Sequence, residues 1–280
     1  MLVKRTIRTL LAFSICATLA GIGAARSVSA ATPHEMARQI DGQPNTFYWA
    51  VIVGISDYAG RTQDLPGSAN DAYALRDHLK RLGWRDDHIF LVTNRGATRD
   101  NILKGIRWLA SKTNNRSAAI FHFSGHELPT RTTADGDNET QDVQIRTHDN
   151  RFIIDGDLGR EMGRVKAARM WIDLSLCRAG GFNDAGMYKA GRVITYASPQ
   201  KELAYEDSGI RHSVFSYHQI VEGMARKKAD RNRDGQVTVE EAFWYSRQPV
   251  WNWTRSKQHP AISDQLSGDF SITPPRAPSG

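Results

Sequence analysis

Tyr48-Trp49-Ala50-Val51-Ile52-Val53-Gly54-Ile55 is a run of eight residues without a charge, closed by Ser56-Asp57. An unbroken apolar run of strand length suits a β-strand buried on both faces, the situation a parallel sheet creates for its strands. Working outward, Ile89-Phe90-Leu91-Val92, Ala118 to Phe123, Met170 to Leu176 and Arg192 to Ala197 repeat the pattern. Between them the period changes to that of a helix. Ala72, Leu75, Leu79 and Leu82 share one face up to Gly83, and Ile102, Ile106 and Leu109 share another behind Thr98, a good N-cap. Asp157 to Val165 predicts a short helix, Ser213 to about Lys228 a longer one, and Asp269 to Ile272 a last strand before a Pro-rich tail at 273–280. Residues 127–150, polar and without period, are expected to form a long surface loop. Strands alternating with helices imply an α/β fold: a three-layer α-β-α sandwich around a mostly parallel sheet with right-handed crossovers.

Composition bounds the function. The chain has 280 residues, 40% hydrophobic and 24% charged, enough for one or two domains with a sizeable core. Two cysteines exclude a disulfide scaffold and a four-thiolate zinc site. Residues 1–30 read as a secretory signal: Lys4, Arg5 and Arg8 precede the apolar stretch Leu10 to Ala25, and Val28-Ser29-Ala30 offers cleavage after Ala30. The expected location is secreted or periplasmic, with no stable membrane association once the signal is cut. Cleavage takes four positive charges from the net +7 and leaves +3. No stripe of Lys and Arg interleaved with aromatics remains to suggest nucleic acid. Cys16 leaves with the signal, so Cys177 becomes the one cysteine of the mature chain. Residues 31–46 read as a linker and 47–272 as one domain.

Ligands of open α/β sheets bind beyond the carboxyl ends of the strands. Two predicted strands end in reactive residues: Phe121-His122-Phe123 runs into Ser124-Gly125-His126, and Ile172 to Leu176 runs into Cys177-Arg178-Ala179-Gly180-Gly181. If those strands are neighbours, His126 and Cys177 emerge side by side. An imidazole there would take the thiol proton and later protonate a leaving amine. The glycines after Cys177 would allow a tight turn that brings backbone N–H groups towards the reacting carbonyl. His122, inside its strand, is expected to be structural.

The runs YWAVIVGISDY, LPGSANDAYALRDHL, FHFSGH and IDLSLCRAGGF, in that order, resemble the caspase-like cysteine peptidases, in particular their bacterial, metacaspase-related members. His126 and Cys177 stand 51 positions apart, in keeping with the caspase arrangement. The resemblance covers roughly 47–272. It implies a caspase–haemoglobinase fold, His126 as general base and acid, Cys177 as nucleophile, and cleavage of peptide bonds in a peptide or protein substrate through a thioester. The chain departs from the family pattern at Glu127, where a Gly usually follows the histidine, at Ser175, where metacaspase-like members carry Asp, and at Ala179. Glu127 is expected to bring negative charge towards the developing oxyanion and to tolerate positive φ poorly. Asp135, Asp137, Glu139 and Asp173 are the acids that could replace a substrate pocket.

Asp230-Arg231-Asn232-Arg233-Asp234-Gly235-Gln236-Val237-Thr238-Val239-Glu240-Glu241 fits the EF-hand loop pattern. Asp230, Asn232, Asp234 and Glu241 would supply side-chain oxygens to calcium (Ca2+), Gln236 its carbonyl, and Thr238 a direct or water-mediated contact, with Val237 packing inward. The sequence thus predicts an exported, calcium-stabilised cysteine endopeptidase. The alternatives are an inactive caspase-like scaffold that binds calcium, and a cysteine hydrolase acting on another amide or ester.

Overall fold

The computed structural model describes residues 47–131, 142–183 and 186–275. The predicted signal and linker, the acids Asp135, Asp137 and Glu139, and the last residues of the tail lie outside that range.

The apolar run forms β1 (Tyr48–Gly54). It is followed by α1 (Ser68–Arg81), β2 (Ile89–Thr93), α2 (Arg99–Lys112) and β3 (Ala118–Ser124). Thr98 caps α2, its hydroxyl accepting from Asn101 N–H. Next come β4 (Glu127–Thr130), β5 (Asp142–Arg146), β6 (Phe152–Ile154), α3 (Asp155–Gly163), β7 (Arg169–Ser175) and β8 (Arg192–Tyr196). The short pair β9 (Glu206–Asp207) and β10 (His212–Ser213) leads to a helix begun at Val214, called α4, which is wound in π geometry over Tyr217–Ala225. Then come α5 (Val239–Trp253) and β11 (Ala261–Asp264).

Six strands make the central sheet in the order β11-β8-β7-β3-β1-β2. All are parallel except β11, which runs antiparallel to β8. Alternate strand residues fill two separate cores. Val51, Val53, Phe121, Phe123, Ile172 and Leu174 meet α2 and α3 through Ile102, Ile106, Leu109, Leu158 and Met162. Ala50, Ile52, Ile120 and Trp171 meet α1, α4 and α5 through Leu75, Leu79, Ile220, Met224 and Ala242. Both faces of the sheet are therefore covered, which is why its central strands show no polar alternation. The fold is the three-layer sandwich the sequence implies. No helix among the described residues is long and apolar enough to cross a membrane.

Two expectations are corrected. The described residues of 127–150 are not a structureless loop: β4 and β5, with β6 just beyond, form a second, antiparallel sheet beside the end of β3. Its short strands pair mainly with one another, so no helical or long-strand period marks them. The last strand is β11 rather than Asp269 to Ile272, where only an isolated bridge joins Ser271 to Thr238. Phe270 and Ile272 are apolar because they plug the core beneath α5.

Candidate functional site

β3 and β7 are neighbours, and their register pairs Ser124 with Ser175. Parallel strands lie about 4.8 Å apart. His126 and Cys177 each follow two residues after that pair, so the sheet delivers both to one stretch of its carboxyl edge. Gly125 is the residue that fits between: a Cβ there would stand 2.7 Å from the Tyr58 hydroxyl.

The imidazole is anchored on one side only. His126 Nε2 lies 2.8 Å from the Gln63 carbonyl oxygen, an atom that can only accept, so Nε2 carries the proton. In the neutral ring Nδ1 is then a free base. The Tyr58 hydroxyl accepts from His126 N–H at 2.7 Å, and the two rings lie 4.8 Å apart. Burial holds the imidazole below the usual histidine range, so it is neutral near pH 7.

Cys177 is half-buried and sits against Ala204, whose N–H donates to Sγ at 3.3 Å. Burial pushes the thiol up, and the carboxylates of Glu127 and Glu206 push the same way, against the Ala204 contact and the Arg178 guanidinium. The ring and the thiol are not hydrogen-bonded to each other in this conformation, each being held by a backbone group. The resting pair is a neutral base beside a protonated thiol.

Each residue following the pair bears a charge, and the two charges meet. Arg178, in left-handed geometry at φ 49°, pairs its guanidinium with the Glu127 carboxylate. The expectation of a bare negative charge at the oxyanion is thereby corrected: Arg178 balances it. Nor does Glu127 need positive φ, since it begins β4 as ordinary extended backbone. Arg146 N–H donates to His126 O at 3.0 Å, so Glu127 and Ile145 form a non-hydrogen-bonded pair. The Glu127 N–H therefore points out of that ladder.

The glycines play another part than expected. Gly180 N–H donates to Ser198 O at 3.0 Å and Gly181 N–H to Arg178 O at 2.9 Å, so neither is left for an oxyanion. They are small because a Cβ on Gly180 would lie 2.9 Å from Gln200 N. Two donors beside the reacting groups remain: the Glu127 N–H, which points out of its ladder, and the Cys177 N–H, which has no backbone acceptor among the described residues.

Asp173 is no pocket residue. Its carboxylate is sealed in the core, where it accepts from His122 Nδ1 at 2.7 Å, Thr195 Oγ1 at 2.6 Å and Gln219 Nε2 at 3.1 Å. The acids that do flank the site were not singled out from sequence. Asp71, on the first turn of α1, accepts from Ser124 Oγ at 2.7 Å and His212 Nδ1 at 2.8 Å. Ser213, bonded to Asp71 through its N–H, also joins its hydroxyl to Ser175 at 2.7 Å. Glu206 accepts from Gly67 N–H at 2.7 Å, and burial beside Asp71 pushes it up to about 7. An acid on the first turn of a helix has a ready alternative explanation in the helix dipole, which hid Asp71. Only the fold shows that this carboxylate gathers the ends of β3 and β10.

Five of the six EF-hand positions fall in the loop between α4 and α5, and Glu241 stands in the first turn of α5. Gly235 takes φ 84° and donates its N–H to Asp230 Oδ2 at 3.0 Å, while Asp230 Oδ1 is buried without a partner. Asn232 and Asp234 close a turn on each other. Gln236 N–H donates to Asp234, and Val237 packs into the core. Thr238 and Glu241 form a capping box on α5, Glu241 Oε2 accepting from Thr238 N–H at 3.1 Å and Oε1 from Arg231 N–H at 3.3 Å. The orphaned Asp230 oxygen fits a cation, but no three acidic, His or Cys side chains converge on one point among the described residues.

A profile of the caspase domain matches residues 48–271. Metacaspase-3 of Arabidopsis thaliana is 29% identical over 143 residues, 47% of this chain and 39% of that protein. Metacaspase-1 of Lodderomyces elongisporus is 28% identical over 251 residues, 80% of this chain and 54% of that protein. The chain thus spans about half, or less, of the length of these relatives. Among solved structures, a structural-genomics protein of Geobacter sulfurreducens superposes with a TM-score of 0.60 at 13% identity, over 82% of this chain and 97% of that one. The Drosophila initiator caspase Dronc gives a TM-score of 0.57 at 13% identity, over 83% and 85%. At that identity the likeness speaks for the fold.

Proposed function

Because the chain belongs to the caspase-domain family, a family of cysteine peptidases, we propose that it is an endopeptidase working through Cys177 and His126. The observation that carries this reading is the register of β3 and β7, which brings a free imidazole Nδ1 and a thiol to the same sheet edge.

The steps follow from the tautomer. As Sγ attacks the scissile carbonyl carbon, its proton passes to His126 Nδ1. The carbonyl oxygen becomes an oxyanion facing the N–H groups of Cys177 and Glu127. The imidazolium then gives its proton to the leaving amine, the C–N bond breaks, and a thioester remains on Cys177. Water, deprotonated by the same Nδ1, hydrolyses the thioester and restores the thiol. Because the resting thiol is protonated, His126 acts as a general base during attack rather than holding a preformed thiolate. Glu206, with Asp71 buried behind it, gives one flank of the sulfur a negative field suited to a cationic substrate side chain.

Calcium belongs to the same proposal as a stabiliser. Asp230, Asn232, Asp234 and Glu241 would hold it with the Gln236 carbonyl and Thr238, joining α4 to α5 outside the chemistry. Export through residues 1–30 completes it.

The test is labelling and turnover on the purified chain. Wild type should cleave lysine- or arginine-containing peptides and take up an electrophilic thiol probe at Cys177, while Cys177→Ala does neither. An inert thiol and no cleavage across a broad peptide panel would favour the scaffold reading, for which the absent ring–thiol hydrogen bond is the supporting observation.

A further inference from the structure

Residues 198–206 pass directly over the nucleophile, with Lys201 and Glu202 before the contact, Glu202 turned away to His259, and Glu206 beyond it. Arg178 N–H donates to Glu202 O at 2.8 Å and Ala204 N–H to Cys177 Sγ, which fixes the segment across the sulfur. Glu206 lies just beyond that contact and joins Asp71 on the acidic flank. Lys201 lies just before it and faces the opposite way, into a cavity of about 490 Å³.

That cavity is walled by Arg131 from the end of β4, Arg178 from the nucleophile turn and Lys201, over an apolar floor of Pro129 and Val143. Its one acid among the described residues, Asp142, is 1% exposed and thus sunk into the wall. Arg178 shares its charge with Glu127, but Arg131 and Lys201 are both exposed at the rim. A cavity of this size accommodates a side chain with room for water. Its two outer cations favour an anion, and Arg131 offers a planar fork that matches a carboxylate.

We propose that this cavity is a substrate subsite for an acidic side chain, Asp or Glu, placed on the far side of the scissile bond from the cationic residue held by the acidic flank. It rests on the peptidase reading and adds the substrate class: a chain whose charge reverses across the cleaved bond. The protein thus selects a dipolar sequence, and peptides of uniform charge lose one of the two contacts.

The test is equilibrium binding of fluorescent peptides to the Cys177→Ala chain, which needs no turnover. With one lysine fixed, a single glutamate is moved along otherwise neutral residues on both sides of it. One position of the glutamate should tighten binding about threefold to tenfold over glutamine, as expected of charge-assisted contacts at a half-open site. The gain should shrink as salt is raised. Lys201→Ala should reduce it, and Arg131→Glu with Lys201→Glu should turn the preference at that position to lysine, an inversion that misfolding cannot imitate. A flat scan, or a preference untouched by the charge reversal, in a protein whose wild type cuts lysine peptides overturns the subsite alone. Failure of wild type to bind or cut any member of the series overturns both this subsite and the peptidase reading.

Discussion

Two histidine-centred pairs stand on the same two strands. His122 and Asp173 are 51 positions apart and lie opposite each other in the middle of β3 and β7. His126 and Cys177, with the same spacing, sit four residues further along, past the ends of those strands. The lower pair is 0% exposed, and Asp173 is saturated by three donors. The upper pair is half-buried, each member has one firm backbone contact, and no bond joins them. Spacing and strand neighbours are equal, so neither makes a catalytic pair. His122 also keeps a ring nitrogen, Nε2, without a partner among the described residues, so what separates the pairs is access to water and a thiol in place of a saturated carboxylate.

The sharpest way to break this contrast is by substitution at each level. Cys177→Ala or His126→Ala should lower kcat by about a thousandfold or more, measured on a cleaved peptide, with little change in melting temperature. Comparable activity in either variant would remove the upper pair from the chemistry. Asp173→Ala should act in the opposite currency. It strands the donors of His122, Thr195 and Gln219 in the core and should cost about 3 kcal/mol in denaturant unfolding, while the folded fraction stays active. A stable but inactive Asp173→Ala chain would show that the lower pair is coupled to the reaction.

The calcium loop offers a smaller effect. At ten times its Kd, calcium should add about 1.4 kcal/mol to stability by mass action, read as a rise in melting temperature. Asp230→Asn keeps an acceptor for Gly235 N–H but removes the charge, and should abolish that rise. It is a cleaner probe than Glu241, which also caps α5. A wild-type melting temperature indifferent to calcium would retire the site.

Smallest of all, thiol alkylation should report the two charges beside the nucleophile. In wild type the alkylation rate should still be climbing at the pH where an ordinary thiol, near 8.5, is half ionised, because burial and two carboxylates favour the protonated form. Glu127→Gln removes one raising charge and should move the midpoint down, so alkylation at neutral pH quickens. Arg178→Gln removes a lowering charge and should move it up. Shifts of the same sign in both variants would mean that packing, not charge, sets the thiol.

Much of this arrangement was legible in the residues. The unalternating strands announced a sheet covered on both faces, and the paired strand ends placed His126 with Cys177. The second sheet was not legible, because β4 to β6 are short and paired with one another, so their order comes from tertiary contact rather than periodicity. The Glu127–Arg178 balance was hidden for a related reason. Each residue reads alone as a departure or a surface charge, and only the parallel register shows that the same step past each strand makes them partners. Asp173 misled because an acid in a strand looks like a site residue until its three donors are seen.

The junction of β3 with β7 has one more consequence. Those strands are adjacent in the sheet, yet the whole β4–β5–β6 sheet and α3 lie between them in the chain. A growing polypeptide exposes His126 long before Cys177 has been made, and bringing them together requires closing a long loop, a late and slow event in folding. The thiol and the imidazole therefore reach one sheet edge only after that loop has closed, and an unfinished chain holds the two groups apart.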